Sequence, residues 1–99
     1  MIFLPYIDEH ERPRLDNLVD ELTDEILNGD DAWEGRMNYV VSRMANNIVQ
    51  SKGKSYRLFN RIVGVMECVK QEFYRRVVVP YERRKCYVNG DVFGDPEID

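Results

Sequence analysis

The sequence predicts an all-α fold, a single three-helix domain with a long third helix that is kinked or broken at Pro80. Apolar residues recur at intervals of three and four over most of the 99 residues, and residues that begin or end helices bound each periodic segment. Three short helices bury only part of their apolar surface, so the sequence also predicts an oligomer. Residues 1–12 are expected to form an extended segment and residues 91–99 an acidic tail.

The first helix is predicted to begin near Pro13, because a proline ring fits the opening turn of a helix. Gly29 is suited to the left-handed position that ends it. Its apolar stripe, called here the α1 stripe, consists of Leu15, Leu18, Val19, Leu22 and Ile26. The acidic residues are interpreted as a solvated face rather than a metal site: Asp16, Asp20 and Asp24 opposite the stripe, Glu21 and Glu25 beside it.

The second helix is predicted over residues 32–51 and should end at Gly53. Its apolar positions are Trp33, Met37, Val40, Val41, Met44 and Ile48. The other side carries many hydrogen-bond donors, on Arg36, Tyr39, Arg43 and either Asn46 or Asn47. We interpret this side as a solvated face with partner contacts rather than as a ligand-binding site.

The third helix is predicted to begin after Ser55 as its N-cap and to run to Pro80, or past it to Asn89 and Gly90. Pro80 removes a backbone donor, so the helix should kink or stop near Val78 and restart at Tyr81. Its apolar stripe contains Phe59, Ile62, Val63, Met66, Val69, Phe73 and Val77. Lys70 falls inside this stripe, and we expect a buried stem with the ammonium reaching Glu67 or another acid.

A second row of residues follows the other side of the third helix at spacings of four and three: Arg57, Arg61, Gly64, Cys68, Gln71 and Arg75. This spacing is typical of a contact between helices. Small residues in its centre would let another backbone approach. The row is therefore an expected oligomer contact, with the floor of an anion groove and an ordinary exposed face as open alternatives.

Charge is distributed very unevenly along the chain. Residues 1–50 carry 4 basic and 11 acidic side chains, residues 51–90 carry 10 and 3, and the tail adds four acids, giving a net charge of -4. The basic half could meet the acidic half of the same chain, the acidic half of another copy, or an anion. We expect the first or second, with Arg75, Arg76, Arg83 and Arg84 facing the acidic first helix.

The anion alternative rests on a basic bend around Pro80. A tentative ligand site would contain eight residues: Arg43, Tyr74, Arg75, Arg76, Tyr81, Arg83, Arg84 and Lys85. Guanidinium and phenol groups could hold the phosphates and base of a small nucleotide. Nucleic acid is disfavoured, because the sequence pI is near 5.0 and the acidic half would repel a polyanion.

Catalytic patterns are sparse. His10 is the sole histidine, so neither a catalytic triad nor a histidine-based metal site is expected within one chain. An all-α, Mg-dependent nucleotide pyrophosphohydrolase would need carboxylates that converge from two helices, and Glu21 and Glu25 with Glu67 and Glu72 match this only weakly. No cofactor is predicted. The two cysteines and the absence of a signal-peptide pattern or a long apolar run favour the cytosol.

Three stretches, PYIDEHERPRLDNLVDEL, RMNYVVSRM and NRIVGVMECVKQEFYRRVVVPYERRKCYVNGDVF, carry a resemblance over nearly the whole chain. The chain resembles a family of small uncharacterised proteins encoded by bacteriophages and prophages, with an NYxx(S/T)R block followed by a GVLExxKxExYRRxxxPYExxKxxxNGDV block. Matching positions are Asn38, Tyr39, Arg43, Gly64, Glu67, Lys70, Glu72, Tyr74, Arg75, Arg76, Pro80, Tyr81, Glu82, Lys85, Asn89, Gly90 and Asp91. The resemblance implies a phage or prophage protein that acts inside a bacterium, and it implies no activity.

The sequence therefore favours a small protein that acts by binding, through self-association and capture of a partner or ligand, rather than by catalysis. A homodimer or higher oligomer is expected, with a host protein or a small nucleotide as a further partner. The alternative is a nucleotide-binding sponge that sequesters a host signalling nucleotide.

Overall fold

The computed structural model describes residues 5–94, and all regular structure in that range is helical. A short 3-10 turn, Glu9–Glu11, leads into α1, Arg12–Leu27. It is followed by α2, Trp33–Lys52, then α3, Tyr56–Phe73, a π-helical turn, Tyr74–Val78, and α4, Val79–Asn89. The all-α prediction is confirmed, and each predicted helix lies within a few residues of its expected position. The tail residues 95–99 lie outside the described range, as do residues 1–4.

Local signals account for the helix ends. The Ser55 hydroxyl accepts a hydrogen bond of 3.1 Å from the backbone N–H of Leu58, which confirms it as the N-cap of α3. Gly53 and Gly90 end α2 and α4 with φ of 88° and 95°, in a region that favours glycine because it has no Cβ. Each lies where the sequence predicts a helix to end.

The predicted interruption near Pro80 takes the form of a π turn, not a stop. The N–H of Val79 bonds the carbonyl of Tyr74, five residues earlier, so the backbone stays helical while one turn widens. Helical residues resume at Val79 rather than at Tyr81, and Pro80 occupies the first turn of α4, where its missing N–H does least harm. Residues 56–89 thus form one interrupted rod.

The helices are arranged openly. α1 contacts α2, and α2 contacts α3, but no Cα atom of α1 lies within 8 Å of one in α3. The molecule measures 50 × 37 × 29 Å, with a radius of gyration of 17.8 Å. A compact domain of this length would have a radius of about 13 Å. The described part of the chain therefore does not close around a core of its own.

Burial is correspondingly slight. Leu58, in the first turn of α3, is the one buried residue among residues 5–94, and it is still 8 % exposed. The chain exposes 9166 Å². A compact monomer of the same mass would expose about 5,900 Å². Within residues 5–94, no helix is long and apolar enough to cross a membrane.

Candidate functional site

The most prominent surface is apolar and runs along the second half of the long helical rod. We call residues 66–89 the C-terminal arm and its row of Met66, Val69, Phe73 and Val77 the arm stripe. Val69 and Phe73 are each 59 % exposed, and the other two are also exposed. The π turn, which contains Val77, contacts only α3 and α4, the elements directly before and after it, whereas Met66 at the start of the stripe lines a groove together with residues of α2. The sequence predicts the stripe correctly, but the chain does not bury it.

A second apolar surface lies on α1. The first four residues of the α1 stripe are exposed, with Leu18 at 58 %, while Ile26 is half-buried near the connection to α2. Exposed apolar residues that occur singly are ordinary on protein surfaces, but continuous rows on two helices are typical of interaction sites.

Of the arm's basic residues, two are neutralised by neighbours on the same helix. Lys70 Nζ lies 3.2 Å from Glu67, and Arg75 Nη2 lies 2.8 Å from Glu72. The predicted partner of Lys70 is confirmed, but its predicted burial is wrong, because the Lys70 side chain is 71 % exposed. The pKa of Glu67 is lowered, first by the Gln71 amide and then by Lys70.

The remaining basic residues of the arm make no ion pair with a carboxylate of residues 5–94: Arg76, Arg83, Arg84 and Lys85. Two of them lie over the ring of Tyr81, with Arg84 Cζ at 5.8 Å and Lys85 Nζ at 5.6 Å from its centroid. Such cation–π contacts hold the charges beside the ring without neutralising them. The described arm therefore presents an uncompensated positive surface.

The N-terminal segment meets the arm at Glu72. The Tyr6 hydroxyl donates a hydrogen bond to Glu72, whose other contacts are with the Arg75 guanidinium. These donors lower the pKa of Glu72, with Tyr6 the larger cause and Arg75 the second, and the carboxylate raises the pKa of Tyr6. Through this hydrogen bond Tyr6, near the start of the chain, contacts the middle of the long rod.

The predicted second row on α3 lies on the same side as Glu72. Gly64 and Cys68 in its centre are half-buried, whereas Arg57, Arg61 and Gln71 are exposed. Glu72 follows Cys68 by one helical turn, so the Tyr6 contact places the chain's own N-terminal segment at one end of this row. Both cysteines are free.

An open groove of 510 Å³ lies beside the π turn and is lined by Glu67, Lys70, Gln71, Tyr74, Arg75 and Val79. Only Tyr74 and Arg75 of the eight predicted ligand residues line it. Arg43 is exposed on α2, and Arg76, Tyr81, Arg83, Arg84 and Lys85 are exposed on the arm outside this groove. The two cations in the groove face Glu67 and Glu72, so the described residues form no cationic cavity there.

The carboxylates that a magnesium site would need lie on helices that do not meet. Glu21 and Glu25 are on α1, Glu67 and Glu72 are on α3, and these two helices make no contact. The structure does group His10 with Asp8 and Glu11, all exposed, with one potential ligand atom from each within 4.8 Å of the others. This group was not predicted, because His10 is the sole histidine, but its spacing of one and two residues from Glu11 and Asp8 is the sequence signal that fits a single turn.

Arg36 is a residue whose role the sequence did not distinguish. Its Nε donates to the Ile26 carbonyl at 2.6 Å, and its Nη2 lies 3.0 Å from Asp30. Arg36 thus binds the carbonyl end of α1 from α2 and fixes the connection between them. The pKa of Asp30 is lowered, first by the N–H of Ala32 and then by Arg36.

The match to known families covers residues 4–92, which include every helix and both apolar surfaces. The chain belongs to the DUF6899 family. That family is described as a domain of unknown function. No curated protein and no solved structure matches the chain. The DUF6899 region extends from before Tyr6 to beyond α4, so the N-terminal contact and the arm are both parts of the family domain.

Proposed function

We propose that this chain acts by binding rather than by catalysis, as a protein that self-associates through its apolar rows and, once assembled, captures a partner. The exposed arm stripe is the observation that carries the proposal. A helix with an apolar row gains most of its stability by burying that row, because isolated helices are marginal in water. The row lies in α3 and the π turn, and Val69, Phe73 and Val77 stay more than half exposed among residues 5–94, so a second copy would supply the missing surface.

Surface area supports the same proposal. The chain exposes 9166 Å². That exceeds the surface of a compact monomer by roughly 3,000 Å². A stable interface buries about 800 Å² per partner. The excess is therefore ample for a homodimer.

Sedimentation velocity over a range of protein concentrations tests the proposal. We expect the wild-type protein to sediment as a dimer or larger species, and Phe73→Glu to sediment as a monomer, because a carboxylate would be placed in the interface. Phe93→Glu is the matched control, since Phe93 is 93 % exposed and lies beyond α4. A wild-type protein of 11.8 kDa at every concentration would contradict self-association.

A second candidate function is capture of a small anionic nucleotide, the sponge-like alternative. The uncompensated cations Arg76, Arg83, Arg84 and Lys85 with the ring of Tyr81 favour it. Titration calorimetry with cyclic and linear nucleotides tests it, with Arg84→Ala/Lys85→Ala as the variant expected to lose binding. The absence of heat with every nucleotide would rule against it.

The setting of the protein is also proposed. The resemblance to phage and prophage proteins supports a phage-encoded protein in the bacterial host cytoplasm, where a host protein would be the captured partner. Purification of the tagged full chain from a bacterium, followed by native mass spectrometry, would give the subunit number together with any retained protein or nucleotide.

A further inference from the structure

α1 and the C-terminal arm carry opposite charges of equal size. α1 has five acidic and two basic side chains, whereas residues 66–89 have six basic and three acidic ones. The acids of α1 make no ion pair with residues 5–94, and four of the arm's cations are likewise unpaired within that range. Each element therefore offers the charge that the other lacks, yet they do not meet within one chain.

The arm stripe is long enough to cover the α1 stripe. The α1 stripe extends over eleven residue steps from Leu15 to Ile26, and the arm stripe extends over the same number from Met66 to Val77 as the C-terminal part of a longer apolar row that begins at Phe59. At the helical rise this corresponds to about 16 Å in both cases. On the observed helix Asp16 follows Leu15 by about 100°, so it flanks the α1 stripe rather than lying opposite it, as Glu25 does beside Ile26. On the arm, Arg76 lies about one turn after Phe73 and flanks the arm stripe. Apolar contact and charge pairing could thus occur in a single helix-to-helix contact.

The other pairings between two copies are electrostatically unfavourable. If the arms of two copies packed against each other, the same basic residues would lie side by side: Arg76, Arg83, Arg84 and Lys85. If the two α1 helices packed against each other, their acidic residues would lie side by side. Like charges brought together in an interface oppose association. A contact of α1 with the arm of the other copy brings opposite charges together, and a twofold axis makes this contact twice and closes the dimer.

We propose that two copies of this chain form a reciprocal dimer in which α1 of each packs its apolar stripe along the arm stripe of the other. The acidic flank of α1 faces the partner's Arg76, and the end of α1 that carries Glu25 is directed toward the partner's Arg83 and Arg84. This inference rests on the proposed self-association and names the surfaces that meet. The partner's arm supplies the apolar cover that α1 lacks in its own chain.

Two complementary charge reversals test the reciprocal contact. The α1 variant carries Asp16→Lys, Glu21→Lys and Glu25→Lys, and the arm variant carries Arg76→Glu, Arg83→Glu and Arg84→Glu. Each variant alone has like charges on both surfaces, so we expect its dimer to dissociate at least tenfold more readily than the wild-type dimer. An equimolar mixture restores opposite charges at both contacts, so it should form a heterodimer of near wild-type affinity.

Three measurements distinguish the reciprocal contact between α1 and the arm from self-association through any other surface. Sedimentation and native mass spectrometry report the species, and circular dichroism reports that each variant remains helical. The control is Lys52→Glu/Lys54→Glu, which reverses charge next to the connection between α2 and α3 and should dimerise like the wild type. A wild-type dimer with both reversal variants unaffected, or with no heterodimer in the mixture, overturns the reciprocal contact while self-association stands. A wild-type monomer overturns both.

Discussion

The contact between Tyr6 and Glu72 links the start of the described chain to the middle of the long rod through a single side-chain pair. A hydrogen bond from a phenol to a carboxylate favours the ionised acid and the neutral phenol, which is why the pKa of Glu72 falls and the pKa of Tyr6 rises. The stabilisation from Glu72 is fully present above the ordinary pKa of 4.5 and is lost as the pH falls through its lower folded-state pKa. The stabilisation from Tyr6 is present below pH 10.0 and is lost as the pH rises through its raised folded-state pKa.

Replacement of Tyr6 by Phe removes this hydrogen bond and leaves the Arg75 contact in place. We therefore expect the pKa of Glu72 to rise in Tyr6→Phe, though not fully to its ordinary value. Side-chain carboxyl NMR over an acid titration measures this directly. Tyr39→Phe, at an exposed tyrosine of α2, is the control and should leave Glu72 unchanged. If Glu72 titrates identically in the wild type and in Tyr6→Phe, the N-terminal segment does not bind Glu72 through Tyr6.

Arg36 shows what a sequence pattern leaves open at the level of single residues. Arg36 and Arg43 lie on the same polar side of α2, one and three turns into the helix, and no sequence feature distinguishes their roles. The structure joins Arg36 to the end of α1 because the connection of five residues folds that carbonyl end back toward α2. Donor-rich residue types can be recognised from the sequence, but their acceptors depend on the path of the chain.

The sequence predicts the positions and ends of single helices better than it predicts their arrangement. The N-cap at Ser55 and the glycine ends are confirmed, because capping chemistry is local and depends on a few neighbouring residues. The form of the interruption at Pro80 was not predictable in the same way. A chain that lacks one N–H can stop, kink or widen a turn, and the choice depends on how the neighbouring carbonyls are satisfied.

The π turn also sets the direction of every side chain that follows it. A π turn inserts about one extra residue into a helix of 3.6 residues per turn, which rotates later residues by about a quarter of a turn. In Pro80→Ala the missing donor returns and an ordinary helix becomes available. We expect helical content to be kept or raised, while self-association weakens at least severalfold because Tyr81 and Arg84 face a new direction.

Far-ultraviolet circular dichroism and sedimentation velocity on the same samples check both halves of this prediction. Val79→Ala is the control, since it changes a neighbouring side chain but leaves the proline in place. If Pro80→Ala associates as strongly as the wild type, the π turn does not orient the arm for its partner. This holds whether or not the variant has replaced the π turn with ordinary α-helix.

At the scale of the molecule, the sequence predicts which faces of the helices are apolar but not which surface covers them. Phe73 and Leu18 lie on the expected faces, and they are 59 % and 58 % exposed. Periodicity identifies which face of a helix is to be buried, and it carries no information on whether the same chain or another copy buries it. The candidate anion residues were similarly chosen by type, and the structure distributes them over α2, the groove and the outer arm.

If a second copy completes the core, folding and association are one equilibrium, and the melting temperature must depend on protein concentration. Mass action favours the dimer as concentration rises, and for about 200 ordered residues a tenfold increase should raise the melting temperature by about 3 to 5 °C. Phe73→Glu should melt at a lower temperature that does not change with concentration, and Phe93→Glu should follow the wild type. Circular dichroism melts over a hundredfold range of concentration measure all three. A wild-type melting temperature that stays constant over that range would mean that the open chain is stable alone, and its exposed rows would then be available to a different protein.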